Sequence, residues 1–321
     1  QDVLQLKSYY LSSSVHVDSI DYLIGYNYRL HSLDCMNLKS KSVTQIVLPG
    51  DGPDAIVRLS GIYAQSLDSV WISDESERAF LIDSVGTIKR MIDLKKYLED
   101  QEQLLINTNY AMFTSHLFYN ASRHSLMFLV KHTPSNTFIV KEVFIDEVGK
   151  MATYQLSSSK VVPDMSKGYA YINFPNVNFV GENIVYNYPV ESSIYMLDIR
   201  TNERKYILAD SHYTSNIIEK CTTSGDYATL EKHWLENSHF YDIMYLPKYK
   251  IYARLHADKV DFDEKKGMEK LINERDLYLM LFDENMEKIG ETKLSNCRYS
   301  PFTSWNATYG GIALFVDNVL D

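Results

Sequence analysis

Long hydrophobic runs are absent from the sequence. No stretch of this 321-residue chain approaches the about 20 consecutive apolar residues that a bilayer-spanning helix needs, which argues against a transmembrane segment. Residues 1–10 also lack the long apolar core of a secretory signal. The chain is therefore expected to fold in water, and it is long enough to bury a large core.

Cysteine is scarce as well. The three cysteines, Cys35, Cys221 and Cys297, lie far apart and form no CxxC pair, which argues against a zinc site made of cysteines. Because three is an odd number, at least one cysteine stays outside any disulfide within the chain. We expect all three to be small buried apolar side chains.

Basic residues are outnumbered: 32 lysines and arginines face 42 aspartates and glutamates, which gives a net charge of −10. They are also scattered along the chain, which argues against nucleic acid as a partner, because phosphate binding needs a concentrated basic stripe. Glycine and proline are few, 13 and 8, whereas tyrosine reaches 25. Since tyrosine favours strands, the composition predicts a sheet-rich protein.

A repeated unit of short strands fills much of the chain. Residues 69–94 contain three β-rich runs separated by turns, and residues 183–210 repeat the arrangement. A third copy joins residues 249–258 to residues 275–294. A further apolar run precedes each hairpin, at 61–65, 111–119, 177–181 and 239–246. Four strands per unit are typical of the blades of a β-propeller.

An aspartate in a turn marks each unit. Two segments share Asp-x-Val-Gly, in which aspartate caps the turn and glycine supplies a positive φ. The marker aspartates are Asp34, Asp83, Asp146, Asp198 and Asp283. The last interval is the longest because the charged residues 257–274 form a predicted insertion between two strands of one blade.

These repeats predict an all-β fold, a single six-bladed β-propeller domain over residues 1–321. After Asp283 the chain has room for only two strands of a sixth blade, so residues 2–11 are predicted to supply a closing strand. Five blades plus a terminal cap is the alternative. Helices are expected only at 94–105 and 264–274, which is too few for a doubly wound α/β fold.

The segment LPGDGPDAI, residues 48–56, is predicted to be a rigid crossover between two blades. It lacks the lysine of a phosphate-binding loop, and its two aspartates are too few for a calcium loop. Prolines fix φ and glycines permit tight turns. Because a crossover lies near a mouth of the propeller channel, Asp51 and Asp54 are candidate ligand-binding residues.

Three histidines are further candidates. His16, His116 and His239 precede or enter inner strands of different units, so imidazoles could meet in the channel around a metal. The favoured interpretation is that they are unrelated residues, because their offsets to the following hairpins differ. No metal or other cofactor is predicted.

Two tryptophans are candidates for stacking on a sugar. Trp234 and Trp305 lie in irregular stretches where a side chain can be exposed, whereas Trp71 lies within a strand and is expected in the core. No nucleophile elbow GxSxG or comparable local motif is present. Catalytic residues therefore stay unassigned.

The runs LPGDGPDAI, SVWISD and FLIDSVGTIKRMIDL carry a resemblance over about residues 41–94. They resemble a family of uncharacterised Bacteroidetes proteins with a TolB-like, six-bladed propeller fold. The resemblance implies export to the periplasm or cell surface as a lipoprotein whose signal and anchor precede the first residue. It implies no activity and no functional residues.

The sequence therefore favours a non-catalytic binding module of the cell envelope. A glycan, peptide or protein would be held at a mouth of the channel, with the charged insertion at 257–274 as a further contact. The alternative is a propeller-type hydrolase, lyase or lactonase with its site on the channel axis.

Overall fold

A computed structural model describes residues 9–105, 117–161, 174–221, 226–294 and 305–315. The chain divides into two units. Unit 1 comprises Gln1–Asn109, Ser115–Gln155 and Thr303–Phe315. Unit 2 comprises Tyr110–Thr114, Leu156–Phe302 and Val316–Asp321.

Unit 1 begins with two four-stranded antiparallel meanders. Sheet 1 has the strands β1 (Ser12–Val17), β2 (Ile20–Asn27), β3 (Ser32–Asn37) and β4 (Val43–Val47). Sheet 2 has the strands β5 (Leu59–Ser66), β6 (Ser69–Asp74), β7 (Arg78–Ile82) and β8 (Ile88–Asp93). In each sheet the strands pair in sequence order, because each connection is a short turn.

Unit 1 continues with a third sheet and a terminal hairpin. Sheet 3 has the strands β9 (Glu102–Leu104), β10 (Phe118–Asn120), β11 (Ser125–His132), β12 (Thr137–Phe144) and β13 (Met151–Gln155). Strands β9 and β10 both pair with β11, at different residues of it. The terminal hairpin consists of β22 (Trp305–Ala307) and β23 (Ile312–Leu314).

Unit 2 repeats the meander twice. Sheet 4 has the strands β14 (Asn176–Val180), β15 (Asn183–Asn187), β16 (Ile194–Asp198) and β17 (Arg204–Ile207), and helix α1 (Tyr227–Leu235) follows. Sheet 5 has the strands β18 (His239–Leu246), β19 (Ile251–Ala257), β20 (Leu277–Phe282) and β21 (Lys288–Lys293). Helix α2 (Met268–Glu274) lies in the segment between the paired strands β19 and β20.

The chain is all-β, with small antiparallel sheets in a propeller-like arrangement. Five blade-sized sheets are present in the described part of the chain, so the prediction of six blades is wrong and the five-blade alternative is the correct one. The last two strands form only a hairpin. Of the predicted closing strand, residues 2–8 lie outside the described residues, and residues 9–11 are not in a strand.

The core is made by neighbouring sheets. One apolar cluster joins sheets 1 and 2 through residues such as Ile24, Leu33 and Ile72. A second joins sheets 2 and 3 and includes Trp71, as the sequence predicts. The last strands of the sheets carry alternating or polar sequences and are the more exposed, as in β21, whereas the first strands β14 and β18, at the opposite edge, are mostly buried.

Four of the five marker aspartates, Asp83, Asp146, Asp198 and Asp283, lie at the turn that leads into the last strand of a sheet. Asp83, Asp198 and Asp283 accept hydrogen bonds there from backbone N–H groups two to four residues ahead. Asp34 is different, since it lies buried within β3. Asn37 takes the turn position in sheet 1 and accepts from Lys39 N and Ser40 N.

The helices differ from the expectation. Residues 94–105 form a short 3₁₀ helix at Leu94–Tyr97 and then strand β9. Helix α1 was not predicted, although Asp226 accepts a hydrogen bond from Ala228 N as its N-cap. Helix α2 lies within the predicted helical range 264–274.

The terminal hairpin is tied to the first strand of unit 1. Asn306 Nδ2 donates to the Ser12 carbonyl at 2.8 Å, and Ser14 Oγ donates to the Ala307 carbonyl at 2.5 Å. Gly310 N donates to Asp21 Oδ2 at 2.9 Å. Residues almost 300 positions apart in sequence therefore meet within this unit.

Candidate functional site

A cleft of about 640 Å³ opens in unit 1 beside the segment 48–56. We call it the tyrosine cleft; its lining residues are Tyr26, Tyr28, His31, Gly50, Asp51, Ile56, Val57 and Arg58. They come from the end of β2, the turn into β3, and the crossover between β4 and β5. Volumes of about 300–1,000 Å³ are typical of small-ligand sites.

The crossover is rigid because both of its ends are buried. Leu48 and Ile56 belong to the core cluster of sheets 1 and 2. Between them Ile56 N donates to the Pro49 carbonyl, and Gly52 has the positive φ of a tight turn. The turn presents Asp51 to the cleft, whereas Asp54 is exposed and does not line it.

Two tyrosines, Tyr26 and Tyr28, line the tyrosine cleft, and a third, Tyr10, packs against both of their rings. Tyr28 is 43% exposed, and its ring centroid lies 6.1 Å from that of Tyr10, which in turn packs edge-on against Tyr26 at 6.0 Å. Arg58 donates from Nε to the Tyr10 hydroxyl at 3.3 Å. Burial raises the pKa of Tyr10 to about 12, so its hydroxyl stays protonated at neutral pH.

Polar groups complete the tyrosine cleft. His31 Nδ1 lies 3.2 Å from the Tyr26 hydroxyl, and its Nε2 is buried without a hydrogen-bond partner among the described residues. Asp51 is exposed, and Arg58 lines the same cleft with its Nε 3.6 Å from Glu75 Oε1. The cleft therefore combines aromatic surface with a carboxylate, a guanidinium and an imidazole, the groups that hold polyhydroxylated ligands.

A larger cleft of about 880 Å³ lies in unit 2. We call it the insertion cleft, because one wall is residues 258–261 of the predicted insertion. The second wall is residues 213–221, and the third is the face of α1 that carries Thr229, Lys232 and His233. His233 Nε2 lies 2.7 Å from the Glu219 carbonyl and so joins two of the walls.

The three candidate histidines are not brought together by any described contact. His16 lies in unit 1, where its Nδ1 is 2.7 Å from Asp21 Oδ1 and its ring stacks on Tyr309 of the terminal hairpin. His239 lies in unit 2, fully buried, and accepts from Trp234 Nε1 at 3.1 Å. His116 lies outside the described residues. Among the described residues no group of three or more metal-binding side chains occurs.

The two candidate tryptophans are buried rather than exposed. Trp234 is 3% exposed and lies beneath the Arg275 guanidinium, whereas Trp305 is 6% exposed in β22. Neither side chain offers a face to a sugar in this fold. Both are apolar anchors, of α1 in unit 2 and of the terminal hairpin in unit 1.

One serine, one histidine and one glutamate meet in unit 2. Ser211 Oγ and Glu291 Oε1 lie 3.1 and 3.3 Å from the same nitrogen, His256 Nε2, while His256 Nδ1 has no partner among the described residues. A catalytic triad needs the acid on one ring nitrogen and the serine on the other. Burial lowers the pKa of His256 to about 3, so it is also a poor base at neutral pH.

A sequence model of a protein family matches most of this chain. The domain of unknown function DUF4221 matches residues 2–293. The chain belongs to the DUF4221 family. No curated protein matches it significantly.

Solved structures agree with the family assignment. A DUF4221 protein from Bacteroides vulgatus has a TM-score of 0.77 at 14% identity, over 97% of this chain and 89% of that one. A protein from Bacteroides fragilis, named as a putative exported protein, has a TM-score of 0.54 at 13% identity, over 96% of this chain and 78% of that one. At these identities the likeness shows the fold alone. Among the described residues, no helix of this DUF4221 chain is long and apolar enough to cross a membrane.

The sequence analysis identified Asp51 but missed the other side chains of the tyrosine cleft. Tyr26 and Tyr28 flank Asn27 at the end of β2, and a pair of tyrosines two residues apart at a strand end is the one local signal of an aromatic wall. Tyr10 and Arg58 gave no such signal, because only folding brings them together.

Proposed function

We propose that this DUF4221 protein is a non-catalytic binding module that holds a saccharide in the tyrosine cleft. The observation that carries the proposal is the exposed ring of Tyr28 beside Asp51 and Arg58. A tyrosine ring gives apolar surface for the C–H face of a sugar, and charged side chains hydrogen-bond to its hydroxyls.

We place the module in the cell envelope as an exported lipoprotein. Two observations support this location. The chain shares its fold with a Bacteroides fragilis protein that is named as a putative exported protein. It also carries the family resemblance over residues 41–94. The test is fractionation of cells that make the native precursor. Recovery of the protein in the cytosol would contradict the location and leave the saccharide proposal standing.

The test of the saccharide proposal is a glycan array probed with the whole chain and with two variants. We expect a defined subset of glycans to bind the parent chain. Tyr28→Ala should weaken this binding about tenfold, since stacking on one ring is lost. Arg58→Gln should weaken it by a similar factor, because a charge-assisted hydrogen bond is lost.

The matched control is Tyr249→Ala. Tyr249 is 52% exposed in unit 2 and lies outside both clefts, so its removal should leave glycan binding unchanged. A parent chain that binds no glycan, or a Tyr28→Ala variant that binds as the parent does, would overturn the proposal.

A further inference from the structure

We infer that the insertion cleft of unit 2 is a second binding site, and that its ligand is a short peptide with free termini. The cleft is separate from the tyrosine cleft and shares none of its residues. Its volume of about 880 Å³ lies in the usual range for small ligands. It suits a peptide of a few residues.

The charges of the insertion cleft are mixed. Its walls carry the lysines and acids Lys220, Lys232, Lys259, Glu219, Glu236, Asp258 and Asp261. A nucleic acid would need cations alone, and a neutral sugar would engage these charges only as hydrogen-bonding groups. A peptide with free termini brings both an ammonium and a carboxylate, which match the two kinds of charge.

Two residues that line the cleft carry buried hydrogen-bonding atoms without partners among the described residues. His233 is only 9% exposed and donates from Nε2 to the Glu219 carbonyl, which leaves Nδ1 as an acceptor. His233 Nδ1 and Thr214 Oγ1 are both buried with no partner among the described residues. Buried polar groups are normally satisfied, so these two side chains are expected to turn toward the cleft when a peptide backbone supplies N–H and C=O groups there.

The cleft also offers apolar contacts. Tyr213 and Ile217 line it and are about half exposed, and Tyr213 is held in place by stacking on Tyr278 at 5.0 Å. Apolar side chains of a peptide can pack there while its backbone and termini meet the polar groups. This combination distinguishes a peptide from a free amino acid, which has no amide N–H and no amide carbonyl to share.

The experiment is equilibrium dialysis of the full chain against a defined tetrapeptide library, read by mass spectrometry. Free-terminus peptides should be retained, and the same library with acetylated and amidated ends should be retained at least tenfold less. The double variant Lys220→Gln, Asp261→Asn should retain free-terminus peptides less than the parent chain does, by a similar factor. Both residues are exposed and form no described ion pair, so the fold should survive the change.

Two controls separate this inference from the saccharide proposal. Lys265→Gln alters an exposed lysine of the same insertion that does not line the cleft, and should leave retention unchanged. Tyr28→Ala should also leave it unchanged. The inference is overturned if no peptide is retained, if capped and free peptides are retained equally, or if the double variant retains peptides as the parent does.

Discussion

The two units hold their buried charges differently, although each buries charges of both signs: unit 1 also buries Lys141, and unit 2 also buries Glu191 and Asp242. In unit 1 the fully buried Asp34, Asp74 and Glu142 each accept several hydrogen bonds. In unit 2 the buried Arg254 and Arg275 each donate to backbone carbonyl groups. A buried charge is tolerated only when hydrogen bonds replace its lost hydration.

The hydrogen-bond partners of these buried groups also lie at different sequence separations from them. The partners of Asp34 lie no more than 25 residues away, mostly within sheet 1. Arg254 reaches Ser192 and Ala209, which are 62 and 45 residues away. The buried acids of unit 1 therefore stabilise single sheets, whereas the buried arginines of unit 2 tie sheet 5 to segments outside it.

The largest expected effect is that of Arg254→Met. The Arg254 guanidinium lies between the rings of Phe240 and Phe282 and donates to two buried carbonyl groups. Methionine keeps the apolar stem but leaves these acceptors without a donor, at a cost of about 4 kcal/mol in the free energy of unfolding. Hydrogen exchange read by mass spectrometry should show faster exchange in both β14–β17 and β18–β21.

The matched variant in unit 1 is Asp34→Ala. It should cost about 2 kcal/mol, because the buried Tyr9 hydroxyl loses its acceptor, whereas the exposed Gln45 amide can turn to water. Faster exchange should be confined to β1–β4. If Asp34→Ala loosened distant sheets while Arg254→Met loosened only β19, the contrast between the units would be wrong.

Acid should destabilise unit 2 first. Burial lowers the pKa of His239 well below its usual value and that of His256 to about 3. The unfolded chain then binds more protons than the folded one below the free-histidine pKa of about 6.5, so stability falls as the pH falls through that value. At pH 5.5 the two histidines together should cost about 3 kcal/mol.

Denaturant unfolding between pH 7.5 and 5.5, followed by exchange in each unit, checks this. The variant His256→Gln removes one titrating group and should reduce the pH dependence of unit 2 by about half. A slope that stays the same in the variant, or an equal acid loss in β1–β13, would contradict the assignment to these histidines.

Much of the fold could be predicted because its signals are local. The run 239–246 matches β18 at both ends, and the turn aspartates Asp83, Asp198 and Asp283 bond to the backbone next to them. Asp34 misled the repeat analysis because its role depends on Tyr9 and Gln45, which a local pattern does not reveal. The blade count failed for a similar reason, since two strands after Asp283 look alike whether or not a further sheet forms.

The candidate sites were harder to predict than the fold. The crossover turn could be read from glycine and proline, and it placed Asp51 at a cleft. The exposure of a side chain could not be predicted from the sequence. Trp234 and Trp305 lie in irregular stretches, but segments distant in sequence bury them. The insertion at 257–274 was visible as a charged run, but its cleft depends on α1, whose weak signal was the capping residue Asp226.

The smallest expected effect concerns the hydrogen bonds in unit 1 between β1 and the terminal hairpin. Asn306 donates a neutral, partly buried hydrogen bond to the Ser12 carbonyl, so Asn306→Ala should cost about 1 kcal/mol. Exchange should accelerate in β22 and β23 and stay unchanged in β5–β13, whereas the exposed Asn285→Ala in unit 2 should change neither. If Asn306→Ala lowered the free energy of unfolding as much as Arg254→Met does, the stabilisation by a long-range hydrogen bond would depend on its sequence separation and not on its charge.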